Sequence, residues 1–159
     1  MKMSNQSRYL LVFMRTLLTG FIGGLFWSAL SVGLYYFNFI EVAPKTYFLR
    51  SWTKAAWTSG WQGDVVSIIL ASLLSIIVAL IYFVIFKKVP SIWMGATYGI
   101  FLWIIVLFGF HSLLPNLQSV VELTTDTLIS SLCLFVLYGI FIGYSISFDY
   151  SDTVDKEYD

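Results

Sequence analysis

The sequence predicts an all-α integral membrane protein in which four transmembrane helices pack as a compact bundle. Hydrophobic residues make up 58% of the 159 residues and charged residues only 11%, whereas soluble domains are about half apolar and a quarter charged. The charged residues also cluster, and the uncharged stretches between them have the length of about 20 residues that a membrane core about 30 Å thick requires. Residues 1–159 are therefore predicted to form one membrane domain. Its predicted spans are residues 16–40, 65–86, 91–110 and 127–148.

The first predicted span follows a basic N-terminal segment, an arrangement that is also typical of a secretory signal peptide. The apolar core of a signal peptide is about 7 to 15 residues long, whereas the uncharged stretch here runs from Thr16 to Ile40. The sequence therefore predicts that this segment is retained as the first transmembrane helix.

Charged residues mark the ends of the second and fourth predicted spans. Asp64 precedes the second span and Asp126 the fourth, and negative charge is favourable at a helix N-terminus. Lys87 and Lys88 follow the second span, where positive charge is favourable. These charges agree with the predicted helix ends.

The third span is bounded less directly, because the uncharged stretch 89–121 is too long for one helix. A length of about 20 residues places the span at 91–110. In the outer loop 111–126, leucines and valines at helical spacing after Pro115 predict a short surface or partly re-entrant helix. His111 is the single histidine and has no second His or Cys nearby. It is expected to be a polar residue at the membrane boundary, with a ligand or proton relay as the alternative.

Aromatic residues near the predicted membrane boundaries are expected to lie in the headgroup zone, which Trp and Tyr favour. Three of the six tryptophans lie in the other outer loop, residues 41–64. A docking surface for another protein is the alternative for this loop. The C-terminal residues 149–159 are acidic and are predicted to form a solvated tail. The predicted anchors are Trp52, Trp57, Trp61, Tyr144 and Tyr150.

The distribution of Lys and Arg predicts the orientation, since cytoplasmic loops are enriched in both. With four spans, the side that contains both termini carries six of these residues and the other side three. The first group is Lys2, Arg8, Arg15, Lys87, Lys88 and Lys156, and the second is Lys45, Arg50 and Lys54. Both termini are therefore predicted to be cytoplasmic.

Each predicted span carries small residues at four-residue spacing, which places them on one helix face. In lipid, such faces let two backbones approach closely, so they predict helix contacts within one chain or between copies. The residues predicted to form these contacts are Gly20, Gly24, Ser28, Ala71, Ser75, Gly95, Gly99, Gly139, Gly143 and Ser147.

Tyr138 lies near the middle of the fourth span, where its hydroxyl requires a hydrogen-bond partner. The serines and threonines of the neighbouring small-residue faces are the candidate partners.

The sequence predicts no catalytic, cofactor-binding or metal site. Equal numbers of acidic and basic residues leave no net positive charge for nucleic-acid phosphates. Cys133 is the single cysteine and is expected to be a small buried apolar residue. An enzyme site assembled at the outer face remains an alternative. Its candidate residues are Glu41, Asp64, His111, Glu122 and Asp126.

Three stretches resemble the YqhR family of conserved bacterial membrane proteins. They are GFIGGLFWS at 20–28, YYFNF at 35–39 and LYGIFIGYSISFDY at 137–150. The resemblance extends from the first predicted helix to the start of the acidic tail. It implies a small multi-pass protein of the bacterial plasma membrane and adds no catalytic or binding residues.

Helix-packing faces without charge inside the predicted spans favour an accessory or structural subunit that acts through helix or lipid contacts. Its expected partners are the lipid bilayer and a membrane protein or a second copy of the chain. A small transporter or channel component, formed by one chain or an oligomer, is the first alternative, and a membrane enzyme is the second.

Overall fold

The computed structural model describes residues 5–41, 43–50, 53, 55–109 and 123–154. Four helices in these residues are long and apolar enough to cross a membrane, which confirms the predicted all-helical fold class. They are α1 (Asn5–Tyr36), α2 (Trp61–Phe86), α3 (Ile92–Ile104), which a π-helical turn (Ile105–Gly109) extends, and α4 (Thr125–Thr153). Between α1 and α2 lie a short π-helical segment, Thr46–Arg50, and a short 3-10 helix, Ala56–Ser59.

The first and last helices are longer than the spans predicted from charge. α1 begins at Asn5, so that it includes Arg8 and Arg15, and it ends at Tyr36 instead of residue 40. Charged side chains do not stop a helix at the membrane boundary, because their long apolar stems let the charge reach water. The chain leaves α1 through Asn38, whose φ of 61° is left-handed, a conformation that Asn tolerates better than most residues.

Contacts between distant residues give the arrangement of the helices. α1 packs along α2 and α3 packs along α4, each pair antiparallel, and α4 also contacts α1 and α2. At one end, which we call the terminal end, the Tyr9 and Tyr150 rings lie 6.2 Å apart and Arg15 pairs with Asp149. The opposite end, which we call the loop end, contains the segment between α1 and α2 and the start of α4.

A buried apolar cluster occupies the contacts among the helices. Its members come from α1, α2, α3 and the inner face of α4, and they include four tyrosines. The cluster consists of Val12, Ala79, Tyr82, Phe83, Tyr98, Tyr138, Ile142, Ile146, Tyr150 and Val154. The outward faces of the helices are also apolar, as expected where lipid is the solvent.

The predicted solvated tail is wrong over residues 149–154. α4 continues to Thr153, and Tyr150 is only 3% exposed. Ile142, Ile146 and Tyr150 follow one another at four-residue spacing, so that the inner face of α4 continues into the tail. Tyr150 therefore packs against protein at the terminal end, whereas Tyr144, the other predicted tyrosine anchor, is exposed.

The expectation that Cys133 is buried is also wrong, because its side chain is exposed on α4. It lies on a face of α4 that no other described helix covers. Several further predictions concern residues outside the described ranges. They are Trp52, the greater part of the 111–126 loop with His111 and Glu122, and the end of the acidic tail, residues 155–159.

Candidate functional site

Glycines bring the backbones of α3 and α4 into direct contact. A Cβ atom added to Gly139 would lie 2.5 Å from the Cα of Gly99, and one added to Gly95 would lie 2.8 Å from the carbonyl oxygen of Gly139. A Cβ on Gly143 would lie 2.7 Å from the Cα of Gly95. Carbon atoms normally pack about 3.5 to 4.0 Å apart. Only glycine therefore fits where these two helices cross.

Glycines of α1 make a similar approach to α2. A Cβ on Gly20 would lie 2.8 Å from the Cβ of Ala79, and one on Gly24 would lie 2.7 Å from the Cα of Ser72. Ser72 is fully buried, whereas the predicted contact residue Ala71 is only half-buried. A helix has 3.6 residues per turn, so its contact face advances by steps of three and four rather than by four throughout.

Ser75 and Tyr138 join three helices through hydroxyl groups. The Ser75 hydroxyl donates to the carbonyl oxygen of Gly20 at 2.5 Å, and its Oγ lies 2.5 Å from the Tyr138 Oη. A serine hydroxyl has one proton. Because that proton is directed to the Gly20 carbonyl, the Tyr138 hydroxyl must be the donor to Ser75. This relay gives Tyr138 the partner that its position in the fourth span predicted.

Two more hydroxyls connect helices near the terminal end. Tyr98 of α3 donates to the carbonyl oxygen of Val78 in α2 at 2.8 Å, and Ser147 of α4 donates to that of Phe86 at 3.4 Å. Ser147 is fully buried, while Ser28, predicted to have the same role on α1, is half-buried and donates within its own helix to Gly24. Three of the described hydrogen bonds between helices therefore end on backbone carbonyl oxygens, those of Gly20, Val78 and Phe86.

A buried ion pair lies at the loop end, in a region predicted to be a surface loop. Lys45 Nζ is 3.1 Å from Asp64 Oδ2, and the two side chains are only 8% and 7% exposed. The Tyr36 hydroxyl also donates to Asp64 Oδ2 at 2.8 Å, and Lys45 donates to the carbonyl oxygen of Ser59 at 3.3 Å. The pair therefore ties the segment before α2 to the ends of both α1 and α2.

The residues around this pair stabilise the positive charge of Lys45 more completely than the negative charge of Asp64. The Lys45 ammonium lies 5.6 Å and 5.9 Å from the ring centroids of Tyr35 and Tyr36, positions that favour a cation. Asp64 Oδ1 is buried and has no hydrogen-bond partner among the described residues. Asp64 also lies in the first turn of α2, where the helix dipole favours its negative charge.

The three described residues of the alternative outer-face enzyme site, Glu41, Asp64 and Asp126, have different surroundings. Asp64 is engaged by Lys45 and Tyr36, whereas Asp126 is exposed in the first turn of α4. Glu41 accepts from the backbone N–H of Thr124 at 3.2 Å, so that it fastens the end of the α1 connection to the start of α4. Among the described residues, no group of three or more His, Cys, Asp and Glu side chains is arranged to hold a metal.

Two of the predicted tryptophan anchors are exposed at the loop end. Trp57 is 45% exposed in the 3-10 helix, and Trp61 is 71% exposed at the start of α2. Their side chains lie close to the ion pair in sequence but on the outside of the molecule. Their position at the end of a spanning helix is typical of a headgroup contact.

These observations define an all-helical membrane protein. It has four helices that are long and apolar enough to cross a bilayer, and its helices approach one another closely at small residues. The chain belongs to the YqhR family, since the family described as Conserved membrane protein YqhR matches it over residues 1–159. The resemblance in the three sequence stretches is thereby confirmed. Uncharacterized protein YqhR of Bacillus subtilis (strain 168) is 41% identical over 138 residues, which cover 87% of this chain and 77% of that relative. No solved structure matches the chain.

Proposed function

We propose that this chain is a multi-pass protein of the bacterial plasma membrane that acts as a noncatalytic accessory or structural subunit. In this role, its outer helix faces contact another membrane protein and lipid. The direct contact of backbones at Gly95, Gly99 and Gly139 carries the proposal. Where α3 and α4 cross, the two backbones fill the space that a substrate path between them needs. The outer faces are then the surfaces left for interaction.

Both termini are proposed to be cytoplasmic. The start of α1, Lys87 after α2 and the end of α4 share the terminal end of the bundle. Six Lys and Arg residues fall on that side of the predicted topology and three on the other. The side with more Lys and Arg residues is the cytoplasmic side according to the positive-inside rule.

A photocrosslinking scan in native membranes tests the accessory role. A photoreactive amino acid is placed at one exposed position on each helix, namely Ile22, Val84, Phe101 and Phe148. The proposal predicts a reproducible product with one second protein from positions on one side of the bundle and products with lipid from the others. Ile142, which is fully buried, is the matched control and is expected to give no intermolecular product. Products with lipid or with a second copy alone at all four positions would contradict the accessory role.

The buried Lys45–Asp64 pair favours a second candidate, a small transporter or channel component. Buried ionisable groups in membrane proteins often lie on ion or proton pathways, and Asp64 Oδ1 has no partner among the described residues. If this candidate is correct, vesicles containing the purified protein will show a solute or proton flux that Asp64→Asn abolishes. A flux equal to that of protein-free vesicles would eliminate it.

A further inference from the structure

An open groove runs along the start of α1, where α1 meets the end of α2 at the terminal end. It has a volume of about 540 Å³ and is lined by Gln6, Ser7, Tyr9, Leu10, Phe13 and Phe83. From Gln6 to Phe13 the groove extends roughly 10 Å along the helix, at 1.5 Å per residue. Its lining is polar at Gln6 and Ser7, near the start of α1, and apolar at Leu10 and Phe13, farther along the helix. This gradient has the direction of a phospholipid, whose polar headgroup lies above its acyl chains.

Three aromatic rings surround the ammonium group of Lys87 beside this groove. The Lys87 Nζ lies 4.7 Å from the ring centroid of Phe83, 5.2 Å from that of Tyr150 and 5.8 Å from that of Tyr9. The rings attract the cation but accept none of its three N–H groups in a conventional hydrogen bond. Among the described residues, the contacts given for this ammonium are those with the three rings.

Tyr9 and Phe83 belong to both features, so the ammonium and the groove adjoin each other. An apolar chain joined to an anionic group matches both features, because the chain fills the groove and the anion accepts hydrogen bonds from the Lys87 cation. We propose that the terminal end binds an anionic phospholipid, with its phosphate at Lys87 and one acyl chain in the groove.

Among the described residues, basic side chains outnumber acidic ones at the terminal end, which favours such a headgroup. The described charged residues at the terminal end are Arg8, Arg15, Lys87, Lys88, Asp149 and Asp152, which give four positive and two negative charges. Asp149 is already paired with Arg15 at 3.2 Å. Lys88 is exposed and lies next to Lys87, so it adds to the positive potential without belonging to the ring cage.

Native mass spectrometry of the full chain with added lipid tests the proposal. The wild-type protein is expected to retain one palmitoyl-oleoyl phosphatidylglycerol about fivefold more tightly than the phosphatidylcholine with the same chains. This is the effect of about 1 kcal/mol that one lysine contributes near an anionic lipid surface. Lys87→Ala is expected to abolish this preference and Lys87→Arg to keep most of it. Lys88→Ala, the matched control outside the cage, is expected to keep it.

Two outcomes would overturn the proposal. One is an equal loss of preference in Lys87→Ala and Lys88→Ala, which would indicate a diffuse positive surface. The other is displacement of the lipid by an equal concentration of glycerol 3-phosphate, which would indicate a phosphate site without a role for the acyl chain. Thermal midpoints of all variants are measured in phosphatidylcholine nanodiscs, and Lys87→Gln replaces Lys87→Ala if the alanine variant is destabilised.

Discussion

Replacing Gly139 with alanine is expected to force α3 and α4 apart. The new Cβ would lie 2.5 Å from both the Cα and the backbone nitrogen of Gly99. Because carbon atoms pack at about 3.5 Å or more, the two backbones must separate by about 1 Å. The atoms in the way belong to the backbone, so they cannot rotate aside as the end of a flexible side chain does. Overpacking of this kind typically costs about 1 to 3 kcal/mol of unfolding free energy.

The thermal midpoint of the purified protein in detergent measures this effect. At about 2 to 4 °C per kcal/mol for a chain of this size, Gly139→Ala is expected to lower the midpoint by about 2 to 12 °C. Gly33→Ala is the matched control, because a Cβ at Gly33 would meet nothing within 4 Å. The control is expected to leave the midpoint unchanged or slightly raised. Equal midpoints for the two variants would refute the inferred contact between α3 and α4.

Three further predictions concern the loop end, the lipid-facing surface and the orientation. Lys45→Met leaves a buried carboxylate without its cation, so it is expected to lower the free energy of unfolding by about 3 to 5 kcal/mol and to expose the segment 43–59 to proteolysis. The double variant with Asp64→Leu is expected to restore most of the protection, and an unchanged digestion pattern in Lys45→Met would count against the ion pair. Cys133 lies about 12 Å along α4 from its first residue, at a depth where lipid disfavours the thiolate that maleimides require. In intact vesicles it is therefore expected to react with neither N-ethylmaleimide nor a charged, membrane-impermeant maleimide, and to react with both after unfolding in SDS; reaction with both reagents in intact vesicles would show that it faces water. Alkaline phosphatase fused after the last residue is expected to be inactive and a fluorescent protein fused there to be bright, since both termini are proposed to be cytoplasmic; an active phosphatase would reverse the orientation.

The helices and many of their contact residues were predictable because the information is local. The length of an uncharged stretch determines whether a helix can cross a bilayer, and small residues at regular spacing identify a face such as that of Gly95 and Gly99. The exact contact residues on α2 were less predictable. Ser72 and Ala71 are adjacent, and the choice between them depends on how the α1 and α2 axes cross.

The buried ion pair was not predictable, because it joins residues from a loop and a helix without a common period. Lys45 and Asp64 are separated by 19 residues, and isolated charges in a loop are usually solvated. The burial of Tyr150 was not predictable for a similar reason. Its burial depends on Tyr9, Phe83 and Lys87, which reach the same end of the bundle only after the helices have packed.

Cys133 is exposed, although it was expected to be buried, because the solvent around its helix face is lipid. A small apolar thiol is usually buried in a soluble protein, but in lipid an outward apolar face has no comparable cost. Apolar character alone therefore does not identify the inner face of a membrane helix. On α4 the inner face is identified by its glycines and by the partner of the Tyr138 hydroxyl.

A double-mutant cycle on Ser75 and Tyr138 tests most directly that polar and small residues join the helices within one chain. Tyr138→Phe, Ser75→Ala and the double variant are unfolded in SDS, and the coupling free energy is calculated from the four stabilities. Interhelical hydrogen bonds in membrane proteins contribute about 0.6 kcal/mol on average and up to about 1.7 kcal/mol. A coupling in this range, unchanged when the protein is diluted, is the predicted result. Additive effects of the two substitutions, or a coupling that disappears on dilution, would contradict a contact within one chain.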